Sequence, residues 1–161
     1  MGARLFLESL PDADAARLML FSSAPHWVSE RPEPLARSRP RLIGAIESAF
    51  ASGGTALYDS LIESLRPAPG EARGAARAVV VLTDGEDTDS RVKLPQLLAM
   101  LQRAGGEGAA EGEVPRLFTI AYGAKADTAA LQRLAEAGGG AFFSGTPKDI
   151  RAVYAELATF F

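Results

Sequence analysis

Asp84 is the side chain best placed to do chemistry. It follows the apolar run Ala78-Val79-Val80-Val81-Leu82, in the polar turn Thr83-Asp84-Gly85-Glu86-Asp87. In open parallel sheets, ligands bind beyond the C-terminal ends of the strands, so a carboxylate there reads as a site residue. Asp-Gly is also a standard turn pair that needs no ligand. Thr55, after Ser52-Gly53-Gly54, is the second candidate. Its hydroxyl suits a helix N-cap ahead of Ala56 or a ligand, and the two roles are compatible. Glu86, Asp87 and Asp89 read as a solvated acidic loop that caps the following helix. Ser52-Gly53-Gly54 lacks the lysine that a phosphate-binding loop needs. His26 is the only histidine, has no carboxylate at ligand spacing, and reads as an ordinary loop or edge-strand residue. The chain has no cysteine, which excludes disulfides, thiol catalysis and thiolate metal sites. An enzyme built on Asp84, such as a metal-dependent hydrolase or phosphotransferase, lacks a plausible base, a nucleophile at a strained turn and a second pair of carboxylates.

The elements that must position these residues show in the apolar periodicity. Ala78 to Leu82 is apolar at every position, which predicts a strand buried on both faces, as in a parallel sheet. Leu94, Leu97, Leu98 and Leu101 repeat at helical spacing after the Asp84 turn. Leu117 to Ala121 is the next strand, and Leu131 and Leu134 mark a helix that stops at Gly138-Gly139-Gly140. Ala141-Phe142-Phe143 is a last short strand, and Pro147 opens a final helix striped by Ile150, Val153, Tyr154 and Leu157. Ahead of Asp84, Leu57, Leu61, Ile62 and Leu65 define a helix from about residue 56. Before that, Arg4 to Leu10 reads as the tail of a helix. Arg17 to Phe21 reads as a strand, with Trp27-Val28-Ser29 returning beside it. Glu30 to Pro40, with three prolines and alternating charge, reads as a loop. Leu42, Ile43, Ile46 and Phe50 share one helical face. Gly105 to Val114 reads as a flexible loop inside the domain, not a linker. Strand and helix alternate from about residue 77 onward, which predicts an α/β fold: a doubly wound, mostly parallel open sheet with helices on both faces.

Composition narrows the classes. The 161 residues suffice for one domain with a real core, spanning 1–161. The net charge of −3 argues against a nucleic-acid partner, which would call for clustered Lys and Arg. No apolar run approaches the ~20 residues of a membrane span. Met1-Gly2-Ala3-Arg4 leads into only a short apolar stretch ending at Glu8, so no secretory signal is read there. The compartment stays open.

Two segments, Gly53-Gly54-Thr55-Ala56-Leu57-Tyr58-Asp59 and Val79-Val80-Val81-Leu82-Thr83-Asp84-Gly85-Glu86-Asp87-Thr88, resemble the von Willebrand factor A-type (VWA) family. Phe118 to Gly123, Ala126-Asp127 and Leu131 through Gly140 resemble its later strands and helix. The likeness is strongest to bacterial VWA domains, including those at the C-terminus of extracytoplasmic solute-binding-like proteins. It implies a Rossmann-like fold and a protein-binding module, not an enzyme. It also implies a metal-ion-dependent adhesion site whose Mg²⁺ takes a partner's acidic side chain. By motif match, Thr55 and Asp84 are the metal ligands. The family's other ligand loop, Asp-x-Ser-x-Ser, occurs nowhere in the 161 residues. The resemblance therefore implies an N-terminally truncated domain with weak or absent Mg²⁺ binding, the alternative being a non-functional fragment of a longer multidomain protein. In the family's sheet order, 3-2-1-4-5-6, Arg17 to Phe21 is strand 2 and Ala78 to Leu82 is strand 4. No segment is left for the strand between them, so the chain is expected to be poorly stable alone.

Overall fold

The computed structural model describes residues 2–49, 53–71, 76–106 and 114–145. Three strands, β5 (Ala78–Thr83), β6 (Arg116–Tyr122) and β7 (Phe142–Gly145), pair in parallel in that order. The register sets Val79 against Leu117 and Ile120 against Phe143. Helices α4 (Leu94–Ala104) and α5 (Thr128–Ala137) make the two crossovers. Each step moves the same way across the sheet with the same hand, so both helices lie on one face. They are joined there by α3 (Leu57–Leu65), and Leu57, Leu61, Val81, Leu97, Leu101, Leu117, Leu131 and Leu134 form the main core. Each such leucine removed from water is worth about 1.5–3 kcal/mol. On the other face, α1 (Gly2–Ser9) lays Leu5 and Phe6 against Val80, Leu82, Phe118, Ile120 and Phe143. The α/β fold with helices on both faces is as the apolar pattern predicts.

The N-terminal part builds two small antiparallel sheets. Strand β2 (Met19–Phe21) pairs with β3 (Pro25–Trp27), and β1 (Ala15–Ala16) pairs with β4 (Glu33–Pro34). The exposed His26 stands on β3, as an edge-strand residue. The stretch from Glu30 to Pro40 is not a loop throughout. Helix α2 runs from Leu35 to Glu47 with Pro40 inside it. Leu35, Ser38 and Leu42 recur at helical spacing and are buried, and that stripe outweighs the proline, whose ring projects into solvent. The Ser38 hydroxyl donates to the Pro34 carbonyl at 3.1 Å and ties down the first turn.

β5 departs from the expectation of full burial. Val81 is buried, whereas Ala78, Val79, Val80 and Leu82 are half-buried. Helices cover both faces of β5, but one of its edges has no hydrogen-bonded neighbour among the described residues. β2 and β5 are in separate sheets. The sequence-predicted final helix after Pro147, most of the 105–115 loop, and Phe50 lie outside the described residues.

Candidate functional site

α3 begins where β5 ends, and two loops meet there. Thr88 N and Asp89 N donate to the Thr55 carbonyl at 2.9 and 3.1 Å, and Thr55 N donates to Thr88 Oγ1 at 2.8 Å. A Cβ built on Gly85 would stand 3.5 Å from Thr55 Oγ1. Thr55 therefore sits against the Asp84-Gly85 step, at the C-terminal end of β5. A third segment, the β2–β3 turn, joins them: Ser23 Oγ accepts the Gly54 amide at 3.0 Å. Gly53 turns the chain here with φ at +84°, a conformation glycine adopts without strain.

The acidic residues of the 84–92 loop have structural duties that differ from the expected one. They do not cap α4, whose N-cap is Lys93, where Gln96 Oε1 accepts the Lys93 amide at 2.9 Å. Asp87 caps the preceding helix instead. The N-cap position of α3 is Ala56, which has no side-chain acceptor, so Thr55 is not the cap. Asp87 Oδ1 accepts the Tyr58 amide at 3.2 Å and Ser90 Oγ accepts the Asp59 amide at 3.1 Å. Asp59 answers by accepting the Arg91 and Val92 amides at 3.1 and 3.2 Å. Asp89 takes hydrogen bonds from Ser23 and Thr88, which hold its carboxyl below the usual aspartate range. Tyr58 is pushed up by burial first, then by the charges of Asp87, Asp127 and Glu86. Asp59, Asp87 and Ser90 were not foreseen as organisers of this loop, because each partner lies 29 to 33 residues away in the chain.

This network leaves two oxygen-bearing groups at the mouth of the loops. Neither the Thr55 hydroxyl nor the Asp84 carboxylate enters a hydrogen bond among the described residues, and Asp84 is exposed. Hydroxyl and carboxylate are hard donors of the kind Mg²⁺ or Ca²⁺ prefers. In kind they fit a divalent cation; in number they fill only part of its shell. No group of three or more His, Cys, Asp or Glu side chains is arranged to hold a metal among the described residues.

No curated protein matches this sequence. The sequence profile of the von Willebrand factor type A domain matches residues 3–142. Among solved structures, the von Willebrand factor type A protein from Catenulispora acidiphila superposes with a TM-score of 0.72 at 17% identity, over 97% of this chain and 35% of that one. This chain thus spans about a third of that protein's length. The conserved hypothetical protein BatB from Bacteroides thetaiotaomicron gives 0.69 at 14% identity, over 98% of this chain and 84% of that one. Proximal thread matrix protein 1 from the mussel byssus, solved with a zinc-occupied MIDAS motif, gives 0.65 at 15% identity, over 95% and 38%. At these identities the superpositions speak for the fold. The profile match runs through both the Thr55 and Asp84 loops, and on it the chain belongs to the von Willebrand factor type A domain family.

Proposed function

We propose that this chain is a protein-binding module whose binding point is the loop mouth formed by Thr55 and Asp84. Domains of its family are generally interaction modules. The observation that carries the reading is the division of labour in the loops. Asp59, Asp87, Asp89 and Ser90 are spent on hydrogen bonds that hold the two loops together, while the Thr55 hydroxyl and the Asp84 carboxylate enter none among the described residues. Thr55 and Asp84 would hold a Mg²⁺ ion. When bound, the cation supplies a positive charge with exchangeable positions, which an acidic side chain of a protein partner can occupy. Two ligands leave most of the shell to water, and Mg²⁺ gives up water reluctantly, so binding by this chain is weak. The reading places the remaining ligands on an Asp-x-Ser-x-Ser loop that these 161 residues do not contain.

The test is a Mg²⁺ titration followed by calorimetry and by amide NMR. Calorimetry should show little or no heat at millimolar Mg²⁺. The amides of Thr55, Asp84 and Gly85 should shift in that range, and added acetate, as a carboxylate probe, should shift them further only when Mg²⁺ is present. Asp84→Ala should abolish both responses. Shifts that persist in Asp84→Ala would remove Asp84 from the site. Micromolar affinity lost in Asp84→Ala would show that other groups of this chain complete the shell.

A further inference from the structure

Asp89 is an exposed acid in the 84–92 loop, and two hydroxyls meet on its carboxylate. Thr88 Oγ1 donates to Asp89 Oδ1 at 2.8 Å, and Ser23 donates to the same carboxylate from the β2–β3 turn. Each hydroxyl also accepts a main-chain amide. Ser23 Oγ takes that of Gly54 at 3.0 Å, and Thr88 Oγ1 takes that of Thr55 at 2.8 Å. Two consecutive amides are thus tied to one carboxylate, each through one hydroxyl. A hydroxyl has one proton and two lone pairs, so donating to the acid leaves it free to accept. Donation to a charged acceptor also polarises the hydroxyl and makes it a stronger acceptor in turn. A Cβ built on Gly54 would overlap the Asp89 carboxylate, so the acid lies directly over the Gly54-Thr55 step.

The other main-chain groups around Thr55 are held as well. Its carbonyl accepts Thr88 N and Asp89 N, and the next amide, that of Ala56, donates to Ser22 O at 2.6 Å. The amides of Gly54, Thr55 and Ala56 therefore all have acceptors. Threonine is branched at Cβ, so its χ1 is stiff and a fixed main chain leaves the hydroxyl little freedom. The Thr55 hydroxyl is the group left over, and it stands beside Gly85, next to Asp84 in the chain.

We propose that Asp89 is a positioning residue: acting through Thr88 and Ser23, it holds the Gly54-Thr55 main chain and so keeps the Thr55 hydroxyl beside the Asp84-Gly85 step, where a divalent cation can take both oxygens. This role rests on Thr55 and Asp84 being the ion's ligands. Asp89 need not touch the ion. Groups that orient a metal's ligands without touching the metal commonly set its affinity by about ten- to a hundredfold.

The experiment uses the whole chain, Mg²⁺ as the probe, and two amide measurements. Hydrogen exchange is read first, without metal. Asp89→Ala should speed the amides of Gly54 and Thr55 together, by about threefold or more. Those of Leu117 and Thr119, which bond to Gly138 and Ala141, should keep their rates. Ser23→Ala should speed Gly54 more than Thr55, and Thr88→Ala the reverse. The Mg²⁺ titration is read as the initial slope of the shift of the Asp84 and Gly85 amides. Asp89→Ala and Thr88→Ala should each lower that slope about tenfold, and Thr88→Ser, which keeps the hydroxyl, should restore most of it. Thr88→Ala changes no charge, so its loss separates positioning from attraction of the cation by the Asp89 carboxylate. Three results would each overturn the proposal alone. Asp89→Ala could leave the Gly54 and Thr55 amides as slow as before, or speed every amide alike through global opening. It could also lower the slope while Thr88→Ala leaves it unchanged, which would make Asp89 a ligand or a bare charge. A wild-type chain whose Asp84 and Gly85 amides ignore Mg²⁺ would overturn the ion reading, and this role with it.

Discussion

Asp87 and Asp84 are three residues apart and should respond unequally to substitution. Asp87 holds the Tyr58 amide and the Ser90 hydroxyl at the start of α3. Asp87→Ala removes that cap and should cost about 1–2 kcal/mol of unfolding free energy in a urea titration. Asp84 is exposed and makes no hydrogen bond among the described residues, so Asp84→Ala should stay within about 0.5 kcal/mol. Equal losses would mean that Asp84 is a structural residue. Asp89 ties stability to pH. Its folded pKa is depressed from an ordinary value of 3.8, by Ser23 first and Thr88 second. It therefore adds stability above the ordinary value, and that contribution is lost as pH falls through the lower folded one. Asp89→Asn should flatten the acid limb of a stability–pH curve, and an unchanged limb would dismiss the Ser23 and Thr88 contacts as its cause.

Helix α2 carries a proline that its surroundings do not use. Pro40 is exposed, lacks the N–H that would reach back one turn, and crowds the preceding carbonyls. Pro40→Ala should raise stability by about 1–3 kcal/mol, seen as a higher melting temperature, with part of the gain offset by a freer unfolded chain. No gain would mean that α2 is already distorted to suit the ring. The α5–β7 connection behaves in the opposite way. A Cβ on Gly140 would stand 2.1 Å from the Leu117 carbonyl oxygen, which is backbone and cannot move aside. Gly140→Ala should therefore cost about 1–3 kcal/mol by overpacking. Thermal melts of the two variants should move in opposite directions.

At the scale of the molecule, two layers of helices close over one parallel sheet: α3, α4 and α5 share a core with Val81 and Leu117 on one face, and α1 lays Leu5 and Phe6 against Phe118 and Ile120 on the other. Leu131 is fully buried in the first layer, so Leu131→Ala should cost about 2–5 kcal/mol of unfolding free energy in a urea titration. A loss below about 1 kcal/mol would mean that the layer closes over the space left behind.

By itself the sequence determined the period of each element and the residues at its ends. Ala78 to Leu82, Leu117 to Ala121, and the leucine stripes of α3, α4 and α5 are legible because hydrophobic repeat and helix or strand geometry share one period. The Gly-Gly-Thr and Asp-Gly segments are legible because each ends or opens an element. Only the tertiary structure decided what those residues do. Ser23, Thr55 and Asp89 meet across three segments, and Asp87 caps the helix before it, not the one after it. The buried faces of Leu35 and Leu42 keep a proline inside α2. β2 and β5 fall in separate sheets. Local pattern sets dihedral angles and which face is apolar. It carries no record of which distant donor will satisfy an acceptor, because that choice depends on where the packed core brings the chain together.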